Sequence, residues 1–430
     1  MPIDAERRVT SRLRRAAPWL AALAALSWGA MYLATSGDYD HISYGEEKVI
    51  AEHLARGEGF RSPFDTTPLA PLTSWSPPIY PFLISLAYRI FGFDSLGAPL
   101  AMSLFNTLCF ALAAAALVLI ARVYLPVSSG VIAVALFCLH PSLTRFVTDS
   151  WDGLLALALF LLAVALVASL RERPESPFGA VTLGALLGLL SLTNAAYLLT
   201  YPLLVWSAFK PATLPRKLRL CAISLLSFAL VLAPWTFRNW EAFGRIFYVR
   251  AGAQLELWNG NRPGRSGWLS DAALGHPFWN TPEKALVLKL GEISYFQLCG
   301  DRFRDELRGA TKAFVGRSVV RGADLFFGRL DPARKPVSVS LRESLQLVLF
   351  SCFGLFGAAW IWRERRDARW LVVVAILSVA PFVITSASDR YAMPLRSLLA
   401  LFAAAALAAL HARLRARGTT AKPEPVRALQ

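Results

Sequence analysis

The sequence predicts an all-α, polytopic membrane protein with about ten transmembrane helices and additional juxtamembrane helices on the outer face. Hydrophobic residues make up 55% of the 430 positions, and the mean hydropathy is +0.46. This is more apolar surface than one soluble core of this length buries. Only 17% of the residues are charged, and they are concentrated between apolar runs of about 17–25 residues, the length that crosses a hydrocarbon core as a helix.

Ten apolar runs are predicted to span the membrane. They cover residues 17–35, 97–121, 128–146, 151–170, 178–193, 195–209, 218–237, 345–362, 370–387 and 394–412. An eleventh run, 78–92, has about fifteen residues and begins in a proline-rich stretch. Because a span needs about 20 residues, this run is predicted to be an interfacial or re-entrant helix.

The orientation follows from the short basic segments, since Lys and Arg near membrane ends mark cytoplasmic loops. These segments are the N-terminal arm, 171–173, 210–219, 363–369 and 413–417. Placing them in the cytoplasm puts both termini inside and puts 36–96, 239–344 and 386–394 outside. The basic N-terminal helix is expected to be an uncleaved anchor, because no small-residue cleavage site followed by a soluble domain is present. A bacterial inner (plasma) membrane is the expected location.

The predicted organisation has five parts. They are a cytoplasmic basic arm (1–16), an N-terminal transmembrane module (17–238) with an outer loop (36–96), a large outer loop (239–344), C-terminal transmembrane helices (345–412) and a cytoplasmic tail (413–430). Short helices are predicted at 45–55, 283–298 and 300–315, and residues 418–430 are predicted to be disordered.

Composition excludes several classes of function. The net charge is +16, but the basic residues flank apolar runs and form no basic face interleaved with aromatics, so nucleic acid is not expected as a partner. The five histidines show no pairing at ligand spacing, so a divalent metal is not indicated. No glycine-rich phosphate loop is present, and no cofactor is expected.

The first outer loop is rich in acids, at Asp38, Asp40, Glu46 and Glu47. One interpretation is a solvated acidic cluster that caps an interfacial helix. The other is a general base: a carboxylate at the bilayer boundary is partly desolvated, and its raised pKa suits it to take a proton from a hydroxyl or amine.

Several stretches, in order along the chain, resemble the GT-C superfamily of glycosyltransferases, nearest to the branch of protein O-mannosyltransferases and lipid A aminoarabinose transferases. They are the first outer loop from LARGEGF to PPIYP, HPSLTRFVTDSWDGL at 140–154, GLLSLTNAAYLLTYPLL, APWTFRNWEAFGRIFYVR, GAQLELWNGNRPG, and DRYAMP at 389–394. Together they cover most of residues 36–400.

The resemblance implies an inverting membrane glycosyltransferase that uses a polyprenyl-phosphate sugar on the outer face. Many relatives have an Asp-Glu pair where this chain has Ser43, and Glu46 is the acid in the closest register. The resemblance therefore implies Glu46 as the base, with Asp152 in a supporting role. The other acids of the first outer loop remain alternatives: Asp38, Asp40 and Glu47.

Arginine is suited to the lipid phosphate, because its fork binds phosphate oxygens in pairs and stays charged in a partly apolar site. Arg238 and Arg390 lie at predicted outer helix ends, and Arg250 and Arg262 are weaker candidates on the large loop. The alternative for each is an interfacial Arg that reaches toward water. Candidates for sugar or acceptor binding are Asp149, Tyr80, Tyr391, Glu256 and Asn259, although aromatics at membrane interfaces mostly form the aromatic belt.

Two other functions are compatible with part of the pattern. A lipid-linked glycan ligase or polymerase would centre on Arg and His in the large loop. A transporter or flippase would need charges or broken helices at the membrane midplane, whereas the spans here carry mainly Asn106 and Asn194 as polar residues. The expected partners are therefore membrane lipid, a polyprenyl-phosphate-linked sugar, and an acceptor (glycan, lipid or protein) that the sequence does not identify.

Overall fold

The computed structural model describes residues 2–43, 45–328 and 341–420. Helices account for most of them. Up to residue 243 these are α1 (Pro2–Ser36), α2 (Glu46–Ala55), α3 (Ile79–Phe91), α4 (Gly97–Tyr124), α5 (Val127–Cys138), α6 (Pro141–Thr144), α7 (Gly153–Glu172), α8 (Pro177–Thr193), α9 (Tyr201–Ala208) and α10 (Leu214–Phe243). The later helices are α11 (Ala253–Asn261), α12 (Leu269–Ala273), α13 (Thr281–Leu290), α14 (Glu292–Gly309), α15 (Thr311–Phe327), α16 (Leu341–Glu364), α17 (Arg369–Ile384) and α18 (Met393–Thr420).

The all-helical membrane architecture is confirmed, but the count of ten spans is not. Within the described residues, seven helices are long and apolar enough to cross a membrane: α1, α4, α7, α10, α16, α17 and α18. The other three predicted spans fall on the shorter helices α5, α8 and α9. Helix α8 keeps the bounds of its predicted run, whereas α9 is shorter than predicted. The side chain of Asn194 accepts a hydrogen bond from Ala196 N and starts a 3-10 turn over Ala195–Thr200, so that α9 begins only at Tyr201.

Helix α3 has 13 residues, so it is about 20 Å long. A hydrocarbon core is about 30 Å thick. The short helix predicted at 78–92 is therefore present, and it is too short to span the membrane alone. The helix predicted at 45–55 is α2, while the tail predicted to be disordered at 418–430 lies mostly outside the described residues, with α18 continuing to Thr420.

Helices α4 and α7 form the centre of the bundle. Phe110 and Leu117 of α4 and Leu157 and Phe160 of α7 are fully buried in one apolar core. Peripheral helices instead expose large apolar side chains, as at Trp19 of α1, which is 78% exposed. Such exposure fits a surface solvated by lipid rather than water.

Two glycines permit the closest helix pairs. A Cβ on Gly184 of α8 would lie 2.1 Å from Ser224 O of α10, and a Cβ on Gly357 of α16 would lie 2.0 Å from Phe402 O of α18. Small residues let backbones approach closely in membranes, where packing and not hydrophobic exclusion holds helices together.

Replacing Gly357 by Ala is expected to lower the thermal unfolding midpoint in detergent, because the new methyl group must push α16 and α18 apart at a cost of about 1–3 kcal/mol. Gly316 of α15 is the matched control, since a Cβ there meets no heavy atom within 4 Å, and Ala favours a helix over Gly by about 0.5–1 kcal/mol. Equal midpoints for G357A and G316A would contradict the packing argument.

The helices predicted at 283–298 and 300–315 have the wrong bounds. The chain breaks at Gly291, whose φ is +78°, between α13 and α14, and again at Ala310 between α14 and α15. Glycine adopts positive φ without the steric penalty of other residues, so this break ends a helix that the apolar pattern alone continues.

Segments far apart in sequence meet at the end of the bundle where α7 begins. Glu292 of α14 accepts hydrogen bonds from Thr73 Oγ1 at 2.5 Å and Ser74 N at 2.8 Å, which joins the first and large loops. Ala387 N donates to Gly267 O at 2.9 Å, which joins the large loop to the segment before α18.

Candidate active site

The first turn of α2 carries two adjacent acids with different neighbours. Glu46 Oε1 lies 3.3 Å from Nδ1 of His276 in the large loop, and both side chains are 15% exposed. Glu47, half-buried like Glu46, lies near Asp152. Desolvation, followed by the charge of Asp152, raises its pKa well above the usual range, although Arg390 opposes the shift. Successive helical residues point roughly 100° apart, which separates the two environments.

Asp149 and Asp152 precede α7 and face the same space. Ser43 Oγ donates to Asp149 Oδ1 at 2.9 Å, and Asn194 Nδ2 donates to Asp152 Oδ2 at 2.8 Å. Burial raises the pKa of both carboxyl groups, and Arg390 acts against that shift in each case. We call Glu46, Glu47, Asp149 and Asp152 the acid cluster.

The positive charge of Arg390 acts on three members of this cluster: Glu47, Asp149 and Asp152. Its guanidinium lies 4.3 Å from the ring centroid of Trp151, and Nη2 donates to the Tyr391 hydroxyl at 3.2 Å. Burial alone would lower the pKa of Arg390, but Tyr391, Asp152 and Glu47 together raise it. Its Nε is buried without a partner among the described residues, so the fork retains a free donor.

A second cation, Arg250, lies on the large loop. Arg250 forms an ion pair with Glu256 of α11. Burial lowers the pKa of Arg250, but the charge and hydrogen bond of Glu256 outweigh it, and the charges of Tyr391 and Glu46 add to the rise. The site therefore combines carboxyl groups for proton transfer with two guanidinium groups that suit an anion.

Arg238 has contacts different from those expected for a phosphate ligand. Nη1 donates to Thr73 O at 2.7 Å and Nη2 donates to Phe60 O at 3.0 Å. The guanidinium also stacks near Trp235, 4.9 Å from its ring centroid. In this structure Arg238 holds the first outer loop against the end of α10.

Of the remaining candidates, Tyr80 is linked to the acid cluster through Asn106, whereas Asp38, Asp40 and Asn259 have other surroundings. Asp38 is exposed, and Asp40 is 71% exposed and hydrogen-bonds to His41. Tyr80 is fully buried, and its hydroxyl donates to Asn106 Oδ1 at 3.3 Å. Asn106 Nδ2 donates to Asp149 O at 2.8 Å. Asn259 is buried, and its Oδ1 accepts from Arg262 at 3.1 Å, while Arg262 also pairs with Glu283.

In the part of the chain that the structure describes, no group of three or more His, Cys, Asp or Glu side chains is arranged to hold a metal ion.

The sequence matches no protein-family model and no curated protein. Solved structures do match. The archaeal oligosaccharyltransferase of Archaeoglobus fulgidus, tethered with an acceptor peptide containing the NVT sequon, is 16% identical with a TM-score of 0.57, covering 95% of this chain and 51% of that one. AglB from the same organism, in complex with an inhibitory peptide and a dolichol-phosphate, is 15% identical with a TM-score of 0.57, covering 97% and 53%.

The chain has the GT-C fold. It spans about half the length of these oligosaccharyltransferase chains. ArnT from Cupriavidus metallidurans, bound to undecaprenyl phosphate, also matches, at 16% identity and a TM-score of 0.36, covering 95% of this chain and 82% of that one. The two oligosaccharyltransferase structures show the fold that the sequence resemblance implied.

Within the GT-C fold, some residues around the acid cluster were not predicted as site residues. Asn194 stands out in sequence as a polar residue in an apolar run, and Trp151 as an aromatic beside an acid. Ser43 is visible only as a departure from the family pattern. His276 gives no signal, because its contact with Glu46 joins positions more than 200 residues apart.

Proposed function

We propose that this protein transfers a sugar from a polyprenyl-phosphate donor to an acceptor, in a site built on the acid cluster, Arg390 and Arg250. The observation that carries the proposal is the meeting of buried and half-buried carboxyl groups with two half-buried guanidinium groups at one end of a bundle with the GT-C fold. Support for the donor class comes from AglB, a protein with the same fold that was solved with a dolichol-phosphate.

In the proposed reaction the acceptor oxygen attacks the anomeric carbon while the bond from that carbon to the phosphate oxygen breaks. The polyprenyl phosphate leaves with the electron pair, and the sugar inverts its configuration. Arg390 and Arg250 stabilise the negative charge that builds up on the phosphate, as fixed donors do at a developing anion. The proton of the acceptor goes to a carboxylate.

We assign that carboxylate to Glu46. Its side chain stays partly exposed and lies next to His276, so an acceptor can reach it. Glu47 instead faces Asp152 and Arg390, and burial and the charge of Asp152 raise its pKa, so we assign it with Asp152 to balancing the charge of Arg390. Asp152, fixed by Asn194, supports the site by balancing Arg390. Tyr391 lies against Arg390 and is placed to contact the sugar.

The acid cluster is proposed to face the cell exterior, with both termini in the cytoplasm. Helix α7 starts beside Asp152 and has 20 residues, so its far end lies about 30 Å away. There Arg171 donates to Ser207 O and Asp367 O, both at 3.1 Å. These contacts bring it next to the basic segments 210–219 and 363–369. The positive-inside rule places that end in the cytoplasm.

Transfer is tested with the purified protein in lipid vesicles and a panel of radiolabelled polyprenyl-phosphate sugars. We expect labelled sugar to appear in an acceptor fraction of the native membrane lipids or glycans, with release of polyprenyl phosphate in equal amount. Uptake of sugar into vesicles without cleavage of the donor would instead identify a transporter and reject the proposal.

A further inference from the structure

A groove of about 560 Å³ lies between the loop after α11 and helix α15, apart from the acid cluster. Residues 264–266 form one wall, and Ala313, Gly316, Arg317 and Val320 form the other. On the α15 wall the side chains are small and apolar except for Arg317, and the loop wall adds a second arginine, Arg265.

The positive charge in this groove is only partly neutralised. Arg317 Nη2 donates to Asn261 O and to Glu306 Oε1, both at 3.2 Å, but its Nε is buried without a partner among the described residues. The side chain of Arg265 makes no hydrogen bond or ion pair within the described ranges. The fork of Arg265 and the remaining donor of Arg317 favour a phosphate, whose oxygens accept hydrogen bonds from guanidinium groups.

Helix α15 places the groove beside the membrane helices. Arg321 Nε donates to Val383 O at the end of α17 at 2.8 Å. Near the end of α15, the Ser351 hydroxyl of α16 donates to Phe326 O. On the groove wall Val320 is 40% exposed. Val315 and Val319, on the face of α15 turned away from the groove, are 53% and 67% exposed. Apolar exposure at this position suits acyl or isoprenoid chains and is unfavourable in water.

The groove is next to the proposed active site but distinct from it. Helix α11 connects the two: Glu256 near its start pairs with Arg250, whereas Asn261 at its end contacts Arg317 and Arg321. Five residues of helix separate these positions, which corresponds to about 7–8 Å.

We propose that this groove binds the phosphate headgroup of a membrane lipid, with Arg265 and Arg317 on the phosphate and the α15 wall against the chains. This is a second lipid site, beside the one proposed for the donor. The apolar wall, in which Val320 is 40% exposed, favours a lipid over free phosphate.

The site is tested by crosslinking, which reports location and does not require transfer. The full-length protein in detergent is irradiated with a phosphatidic acid that carries a photoreactive group in its acyl chain, and labelled peptides are identified by mass spectrometry. We expect labelling of 262–268 and 313–320. R265Q should reduce it about tenfold, the effect of losing one charge-assisted hydrogen bond. G316L should reduce it as well by filling the groove, since a side chain at Gly316 meets no atom within 4 Å.

Two matched variants control for surface charge and for bulk. Arg308 is 79% exposed on α14, and Gly309 also has open space around its Cβ position, so R308Q and G309L should label like the natural protein. The proposal is overturned if R265Q and G316L label normally, if a photoreactive diacylglycerol labels the same peptides equally well, or if equimolar inorganic phosphate abolishes labelling. Because no sugar transfer is measured, failure here leaves the proposed function to its own test.

Discussion

Replacing Glu46 by Gln is expected to lower the rate of sugar transfer by about 10²–10⁴-fold, the usual contribution of a positioned general base. Gln keeps the shape of the side chain and its contact with His276, which lies 3.3 Å away, but it cannot accept a proton. The measurement is the turnover number with saturating donor, and the KM for the donor should change little because Glu46 does not bind the phosphate.

The adjacent acid gives a matched comparison. E47Q replaces a half-buried carboxyl group with raised pKa by a neutral group of the same size, so it should fold normally and retain most of the transfer rate. If E47Q loses activity while E46Q keeps it, the base is Glu47 and the assignment to Glu46 is wrong. Loss in neither variant would remove the acid pair of α2 from the mechanism.

Replacing Arg390 by Gln is expected to lower turnover by about 10²–10³-fold, as when a fixed donor to a developing anion is removed, and to raise the KM for the donor. The same change should make folding more sensitive to pH. Arg390 acts against the raised pKa of Glu47, Asp149 and Asp152, so its loss raises those values further. An acid with a raised folded-state pKa contributes stability at low pH and loses it as the pH rises through that value.

The thermal unfolding midpoint of R390Q should therefore be closest to that of the natural protein near the ordinary values of 3.8 for Asp and 4.5 for Glu, and should fall behind it progressively as the pH rises. R390K is the control, because it restores the charge without the planar fork. We expect R390K to recover the pH dependence of stability but only part of the turnover. A constant difference in midpoint across pH would show that Arg390 does not balance the acid cluster.

Local sequence features predicted most of the fold. The apolar runs at 97–121 and 151–170 match α4 and α7, and α2 was predicted to within one residue at its start. The errors lie at helix breaks, which the hydrophobic pattern alone does not predict. The 3-10 turn after Asn194 shortens the helix predicted at 195–209, and Gly291 divides a segment predicted as one helix.

The structure brings five of the predicted site residues together in the candidate site, and their roles stay predictions. Glu46, Glu47, Asp149, Asp152 and Arg390 were all named from the sequence. Arg238 was predicted to bind the phosphate, and in the structure its guanidinium donates to Thr73 O and Phe60 O. A hydrogen bond to a backbone carbonyl requires no particular residue type at the partner position. The sequence therefore does not predict that Arg238 holds the first outer loop.

By itself the sequence determined that the chain crosses a membrane, that its helices follow the apolar runs, and that it resembles the GT-C glycosyltransferases. These properties depend on composition and on spacing between near neighbours, which a linear pattern records. Only the tertiary structure decided which of two adjacent acids faces His276 and which faces Asp152, and that a groove with Arg265 and Arg317 lies beside α15. Those properties depend on contacts between distant segments, because burial and charge at a site are set by whatever packs around it.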